Sequence, residues 1–390
     1  MRVAILTYHF AHNYGAVLQA FALQSFLRAQ NVDVDILDYR ALSIRNSYAI
    51  VPCFDVSVTQ GGRLARLWKW CRILGHWVLR EIPMRIKRRR MFQAFVDNFL
   101  VLSPSRYDVP LSNDNAYDIY IVGSDQVWNP RLTCSFDDVY WGNFETRSGA
   151  IKVSYAASMP SNGLTEAQWA YVRSSLQNNF SHVSVRERAL ATLLKERVSV
   201  EADVCLDPTL LVDPEVWERI SATPKISRKY VLVYALTCRD DAMAIAKKIA
   251  GEIGAVVFEI VPSVQFRRTS SQLVPTPDEF VGLFRNAEFV VSESFHGTAF
   301  SIVFRKPFLS ISRGTCLDQR QMSLLKDLDL IGRLIAKDAR PSFSSIDYDS
   351  VEKRLQQLRV ASAGYLKQIL IEQEEAVRSR SAQVTHGEPT

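Results

Sequence analysis

Short apolar runs alternate with helix-spaced stretches along nearly the whole chain. Residues 2–7 form a first strand, and 14–30 place Ala16, Ala20, Leu23 and Leu27 at helical spacing. Residues 33–38 alternate through Val34 and Ile36 as a second strand, and 61–100 read as largely helical. Runs at 117–122, 151–156 and 182–185 predict three further strands. The pattern breaks near 212–229, at Asp213-Pro214 and the polar run from Ser221 to Lys225. A second set follows: strands at 230–236, 255–260, 287–291 and 307–312, with helices at 241–253, 277–286 and 298–304. Alternating β and α elements predict an α/β fold of two doubly wound, Rossmann-like domains facing a cleft. The expected division is 1–212 with a basic helical insertion at about 61–100, then 213–345. A helix at 346–376 packs back across both, and 377–390 is a flexible tail.

Length and composition agree with two cores: 390 residues, 47% hydrophobic and 11% aromatic. No apolar stretch approaches the ~18 residues of a membrane span. The first apolar run is also too brief for the core of a signal peptide. Six scattered cysteines, with no C-x-x-C and no neighbouring His pair, argue for reduced thiols, a cytoplasmic setting and no metal site. The charge is concentrated. Residues 61–90 hold ten Lys or Arg against Glu81 alone, so this segment carries +9 in a chain of net +6. Its cations interleave with Trp68, Trp70 and Trp77 at helical spacing, which suits peripheral contact with an anionic inner membrane face. A helix docked on its own domain is the plainer reading. Nucleic acid is not expected, because the aromatics lie among helix-period aliphatics and not on a strand platform.

Candidate chemistry gathers where strands hand over to helices, the edge at which open α/β sheets bind ligands. Ser294-Phe295-His296-Gly297-Thr298 sets an imidazole beside a helix start, whose free N–H groups favour an anion. This points to proton transfer with a bound phosphate or carboxylate compound; a helix-capping or core histidine is the alternative. The first junction carries His9, His12, Asn13, Tyr14 and Gly15, suited to a hydroxyl-rich acceptor or simply to a capped turn. Ser124, Asp125, Gln126 and Trp128 follow the third strand and resemble a sugar-binding set, with Asp125 a general base for a hydroxyl or a helix cap. Ser158 ends a small-residue strand. Arg186 is placed to clamp an anion, or to pair with Glu187 or Asp203. Asp207, before Pro208, reads as a turn.

Taken together, Asn13-Tyr14-Gly15-Ala16, Val122 to Trp128, Ser154 to Ser158, Val185-Arg186-Glu187 and Ser294-Phe295-His296-Gly297 resemble the polysaccharide pyruvyl transferase family, from about residue 12 to about 335. The resemblance implies a glycosyltransferase-B-like fold. It also implies transfer of pyruvate from phosphoenolpyruvate, a co-substrate with no cofactor, as a ketal on a sugar. The acceptor would be a capsular, exopolysaccharide or cell-wall glycan precursor, carried on a lipid in many cases. His296 matches the family's essential histidine and Arg186 a donor-holding arginine. Many members carry Arg two residues before the histidine where this chain has Ser294, so Arg305, Lys306 or Arg313 is expected to compensate. A nucleotide-sugar glycosyltransferase and a non-catalytic glycan-binding assembly protein are the rival classes.

Overall fold

The computed structural model describes the chain except residues 51–81, 108–115, 161, 262–268, 316–317, 337–343 and 386–390, and the side chains of 381–385. Most of the basic segment 61–90 therefore lies outside the described residues; its end belongs to a helix, Ile82–Phe99.

Seven strands build the first sheet: β1 (Arg2–Leu6), β2 (Asp33–Tyr39), β3 (Leu102–Tyr107), β4 (Ile119–Asp125), β5 (Ile151–Ala157), β6 (Ser184–Val185) and β7 (Asp203–Val204). Their order is β3-β2-β1-β4-β5-β6-β7, and every pairing is parallel. Six more build the second: β8 (Tyr230–Tyr234), β9 (Val256–Ile260), β10 (Gln272–Leu273), β11 (Phe289–Ser292), β12 (Phe308–Ile311) and β13 (Leu334–Ile335). Their order, β10-β9-β8-β11-β12-β13, repeats the same doubly wound plan, again all parallel. Helices cover both faces of such sheets, so the strands read as unbroken apolar runs. Val3 to Leu6 and Val231 to Val233 accordingly expose no surface.

In each sheet the chain starts in the middle, winds outward, and returns to wind the other way. A crevice opens at each reversal, beside the carboxyl ends of β1 and β4 and of β8 and β11. The two crevices face each other. Tyr14, after β1, stacks on Phe280 of the second domain with centroids 4.5 Å apart. Its hydroxyl donates to the Pro275 carbonyl at 2.8 Å. The helix Tyr348–Thr385 then ties the domains together. Tyr348 donates to the Ser301 carbonyl at 3.3 Å at one end, and Gln373 to those of Asp118 and Gly149 at 3.1 and 2.8 Å near the other.

Three expectations need correction. The helix after β11 runs Phe295–Val303, so His296 and Gly297 lie inside its first turn instead of preceding it. The last helix continues to Thr385, through the region expected to be a tail from 377. Polar helix-formers linked by pairs such as Arg378–Glu374 at 2.6 Å carry it on without an apolar face. β3 escapes the apolar-run criterion because it is an edge strand, reading Leu-Ser-Pro-Ser-Arg-Tyr, where Pro104 and polar residues are tolerated.

The helix Pro277–Asn286 starts at a capping box, Thr276 with Glu279, and packs tightly at Gly282. A Cβ on Gly282 would sit 1.8 Å from the Ala222 carbonyl oxygen, which is backbone and cannot step aside cheaply. Gly→Ala inside a helix ordinarily stabilises by about 1 kcal/mol. Here Gly282→Ala is expected to destabilise by roughly 2–3 kcal/mol, which urea denaturation measures; a stabilised variant would refute the contact.

Candidate active site

The carboxyl ends of β4, β6 and β7 converge on one guanidinium. Arg186 follows β6 and is 6% exposed. Its Nη1 donates to Asp207 Oδ2 at 2.6 Å, its Nε to Glu187 Oε1 at 3.1 Å and its Nη2 to Asp125 Oδ1 at 3.4 Å. The guanidinium lies 4.6 Å from the centroid of the Phe295 ring, which comes from the second domain. Burial opposes its charge, but Glu187, Asp207 and Asp125 together outweigh burial and hold it firmly protonated.

Asp207 is completely enclosed. Its Oδ1 accepts from the backbone N–H and hydroxyl of Thr209 at 3.0 and 2.7 Å, capping the short turn Pro208–Leu211. Its Oδ2 faces Arg186, the Ser124 hydroxyl at 3.4 Å and His296 Nε2 at 3.7 Å. Burial alone would raise its pKa; His296, Arg186 and Thr209 hold it well below the usual carboxylate range.

His296 is 7% exposed, and its Nε2 has no hydrogen-bond partner. The ring rests on the opposite domain at Gly15, where a Cβ would fall 2.0 Å from Nδ1. Glycine at 15 thus lets the helix Tyr14–Arg28 meet the imidazole edge directly. Nearby, Arg313 follows β12 and donates to Glu293 at 2.9 Å, while its buried Nε is unpartnered. Arg320, from the helix Gln319–Asp327, is partly buried and feels the charges of Arg186 and Arg313. Gln126, oriented to satisfy its neighbours, accepts from Arg320 Nη1 at 2.9 Å. No carboxylate pairs with Arg320 among the described residues. Burial, then the charge of Arg186, lowers its pKa.

The structure divides the sequence-selected residues sharply. Asp125, Ser124, Gln126, Ser158, Arg186, Gly15 and His296 gather here; Ser158 donates to Glu187 at 2.9 Å. Asn13 serves as the N-cap of the first helix, its side chain accepting from the Ala16 N–H at 3.4 Å. Ser294, Gly297 and Thr298 form the start of the His296 helix. Gly297 packs on Ser292, and the Thr298 hydroxyl is taken by the Ser294 carbonyl and Ser310.

Four expectations fail on geometry. Trp128 is no exposed sugar platform: it is 1% exposed, stacks on Trp141 at 4.9 Å and donates Nε1–H to the Tyr140 carbonyl. His9 has no exposed surface and faces Asp38 at 3.0 Å inside the first domain. Tyr14 is a domain tie with its hydroxyl already used. Arg305 and Lys306 follow the far end of the His296 helix, at the opposite edge of the sheet; Arg305 pairs with Asp349, so neither reaches the crevice.

Arg186 sits among the selected residues, yet carboxylates already claim its fork. Sequence reading passed over Asp207, whose Asp-Pro-Thr context signals a cap and whose burial only the fold reveals. Arg320 carries no local signal at all. Among the described residues no three His, Cys, Asp or Glu side chains group as a metal site. No described helix is long and apolar enough to cross a membrane.

The model of a known family, polysaccharide pyruvyl transferase, matches residues 13–315. The chain belongs to that family. The match spans all the side chains that meet at Arg186 and His296 except Arg320. A search of curated proteins found no match. Among solved structures, a UDP-GlcNAc 2-epimerase from Neisseria meningitidis is similar over 95% of this chain and all of that one, at 11% identity and TM-score 0.45. The E. coli heptosyltransferase WaaC is similar over 92% and 100%, at 14% identity and TM-score 0.35. The spinosyn forosaminyltransferase SpnP covers 98% and 99%, at 14% and 0.38.

Two outcomes follow from this geometry in a pyruvyl transferase family member. Gly15→Ala should force the imidazole away from the helix and from Asp207; a crystal structure of the variant with the ring still at 3.7 Å would refute the contact. His12, packed on Tyr48, is lowered to about 4 by burial and by Arg88, Arg89 and Arg85. The unfolded chain, with His near 6.5, binds the proton first, so this contribution to stability is present above pH ~6.5 and is lost as pH falls toward ~4. Between pH 7 and pH 5 it should erode by about 2 kcal/mol. His12→Gln should remove that slope in urea titrations.

Proposed function

We propose that the protein transfers pyruvate from phosphoenolpyruvate to two hydroxyls of a glycan sugar, forming a cyclic ketal. One observation carries this reading: an imidazole in the inter-domain crevice whose Nε2 makes no hydrogen bond and faces a buried carboxylate at 3.7 Å, flanked by an arginine that no carboxylate pairs among the described residues. Membership of the family supports it. In the reaction a proton reaches the methylene carbon of the donor, and the central carbon becomes cation-like. A sugar hydroxyl adds there and loses its proton; the C–O bond to phosphate breaks, and a second hydroxyl closes the ring as its proton is lost. The two hydroxyl protons account for the new methyl group and for the phosphate released.

His296 is the acid in this scheme, with Asp207 stabilising its imidazolium across 3.7 Å. Asp125, its side chain 13% exposed beside Arg186, is the group left to accept a hydroxyl proton. Arg320 and Arg313 hold the donor's carboxylate and phosphate. This assignment moves the donor grip away from Arg186, whose donors Asp125, Glu187 and Asp207 occupy. A glycan precursor borne on a lipid at a membrane face fits the basic run at Lys87 to Arg90.

His296→Ala should lower phosphate release from phosphoenolpyruvate by roughly 10²–10⁴-fold. Arg320→Gln should raise KM for phosphoenolpyruvate about tenfold or more, with Arg320→Lys recovering part of it. Full turnover in His296→Ala, or nucleotide release from a nucleotide sugar in place of phosphate release, would end the proposal.

A further inference from the structure

Asp318 stands at the N-cap position of the helix Gln319–Asp327, where an aspartate ordinarily accepts a hydrogen bond from the first turn of its own helix. Its side chain makes no such bond. The buried carboxylate turns back instead onto the segment that follows β12. Its Oδ2 accepts from the Ser312 hydroxyl at 2.7 Å and from the N–H groups of Gly314 and Thr315 at 2.9 and 3.3 Å. Its Oδ1 accepts from the Arg313 N–H at 3.0 Å. Gly314, with φ at +69°, supplies the left-handed residue that lets this loop close around the carboxylate.

Two guanidiniums flank this carboxylate along the chain. Arg313 is held at both ends: its N–H by Asp318, and its Nη2 by the buried Glu293 at 2.9 Å. Arg320 lies in the first turn of the helix, the end at which the helix dipole disfavours a cation. The neutral amide of Gln126 meets it there. The next residue, Gln321, donates to the hydroxyls of Thr298 and Ser310 at 3.3 Å each, which ties this turn to the helix carrying His296. A cation set against the dipole, in a turn pinned from two sides, is placed for a ligand and not for the helix.

Asp318 therefore links the segment bearing Arg313 to the turn bearing Arg320. A donor with a carboxylate and a phosphate on one small carbon frame presents two anionic groups at nearly fixed separation. Two guanidinium forks grip both groups only when their own spacing matches. An arginine on a loosened loop would lose that match while keeping its charge. Asp318 and Arg320 both lie beyond residues 13–315, so the family match does not extend to this arrangement.

We propose that Asp318 is a positioning residue of the donor site, acting through Arg313 and Arg320 to hold them at the spacing phosphoenolpyruvate requires. The proposal rests on the transferase reading for the identity of the donor. Asp318→Asn keeps the side chain's shape but replaces one acceptor oxygen with an amide that cannot receive the loop's N–H groups. It should raise KM for phosphoenolpyruvate about tenfold and leave kcat within about threefold. In an Arg313→Gln background the same change should raise KM by less than about threefold, because a residue it acts through is gone. A purely structural role would lower the melting temperature and the active fraction, leave KM in place, and add across the two backgrounds. An unchanged KM, or additivity, overturns the proposal.

Circular dichroism checks the fold. Should Asp318→Asn fail that check, Ser312→Ala removes one bond to the same carboxylate and should raise KM about threefold; an unchanged KM there overturns the proposal equally. Inorganic phosphate is titrated calorimetrically into both proteins alongside. Phosphate binding that weakens about tenfold in Asp318→Asn upholds the positioning role even where phosphoenolpyruvate is not turned over, a result that sinks the transferase reading alone. Turnover with the same KM in the variant sinks the positioning role alone. Failure of the unaltered protein to bind either anion sinks both.

Discussion

One buried guanidinium organises the crevice. Arg186 has three carboxylates within hydrogen-bonding reach and almost no water. An uncompensated ion in that position would cost several kcal/mol, and so would any of the carboxylates left without it. Because Asp125, Glu187 and Asp207 come from the ends of β4, β6 and β7, meeting this requirement fixes three strand ends of the first sheet. Phe295 lies over the guanidinium, so the same group also seats the first turn of the helix that carries His296. A charge balance inside one domain thereby positions an imidazole belonging to the other.

The rest of the architecture keeps that registration. Gly15 lets the first-domain helix touch the imidazole edge, and Tyr14 beside it stacks on Phe280. On the far side, Arg359 of the last helix donates to the Leu210 carbonyl at 2.8 Å, and Ser362 accepts from the Leu206 N–H at 2.9 Å. Those two carbonyl and amide groups flank Asp207. The long helix therefore braces the segment holding the carboxylate that faces His296, which gives its span across both domains a purpose beyond joining them.

The sequence made the scaffold legible because parallel strands buried on both faces must be apolar throughout. Val3 to Leu6 and Val231 to Val233 could scarcely be read otherwise. The two-residue edge strands β7, β10 and β13 carry too few residues for any such signal. At the site, His296, Arg186 and Asp125 were readable because each follows a strand. What spacing could not reveal was how these groups neutralise one another. Trp128 looked like a ligand platform because its polar neighbours suggest exposure, yet Trp141 covers it. Asp207 looked like a turn, and it is one; its second oxygen is what matters. Arg320 becomes visible only when the Gln319–Asp327 helix brings it beside Gln126.

The charge balance around His296 bears on the serine at 294. Around His296, Arg186 and Arg313 pair with Asp125, Glu187, Asp207 and Glu293, and Arg320 meets Gln126, so most of the positive charge there is already answered by nearby carboxylates. A further arginine at 294 would stand within the same cluster, beside Arg313 and its buried, unpartnered Nε. A donor bound in such a balanced site would be held by direction more than by net charge, through forks aimed by Gln126 and Glu293. In the proposed reaction the crevice at His296 would supply orientation, which is what a proton transfer to carbon requires.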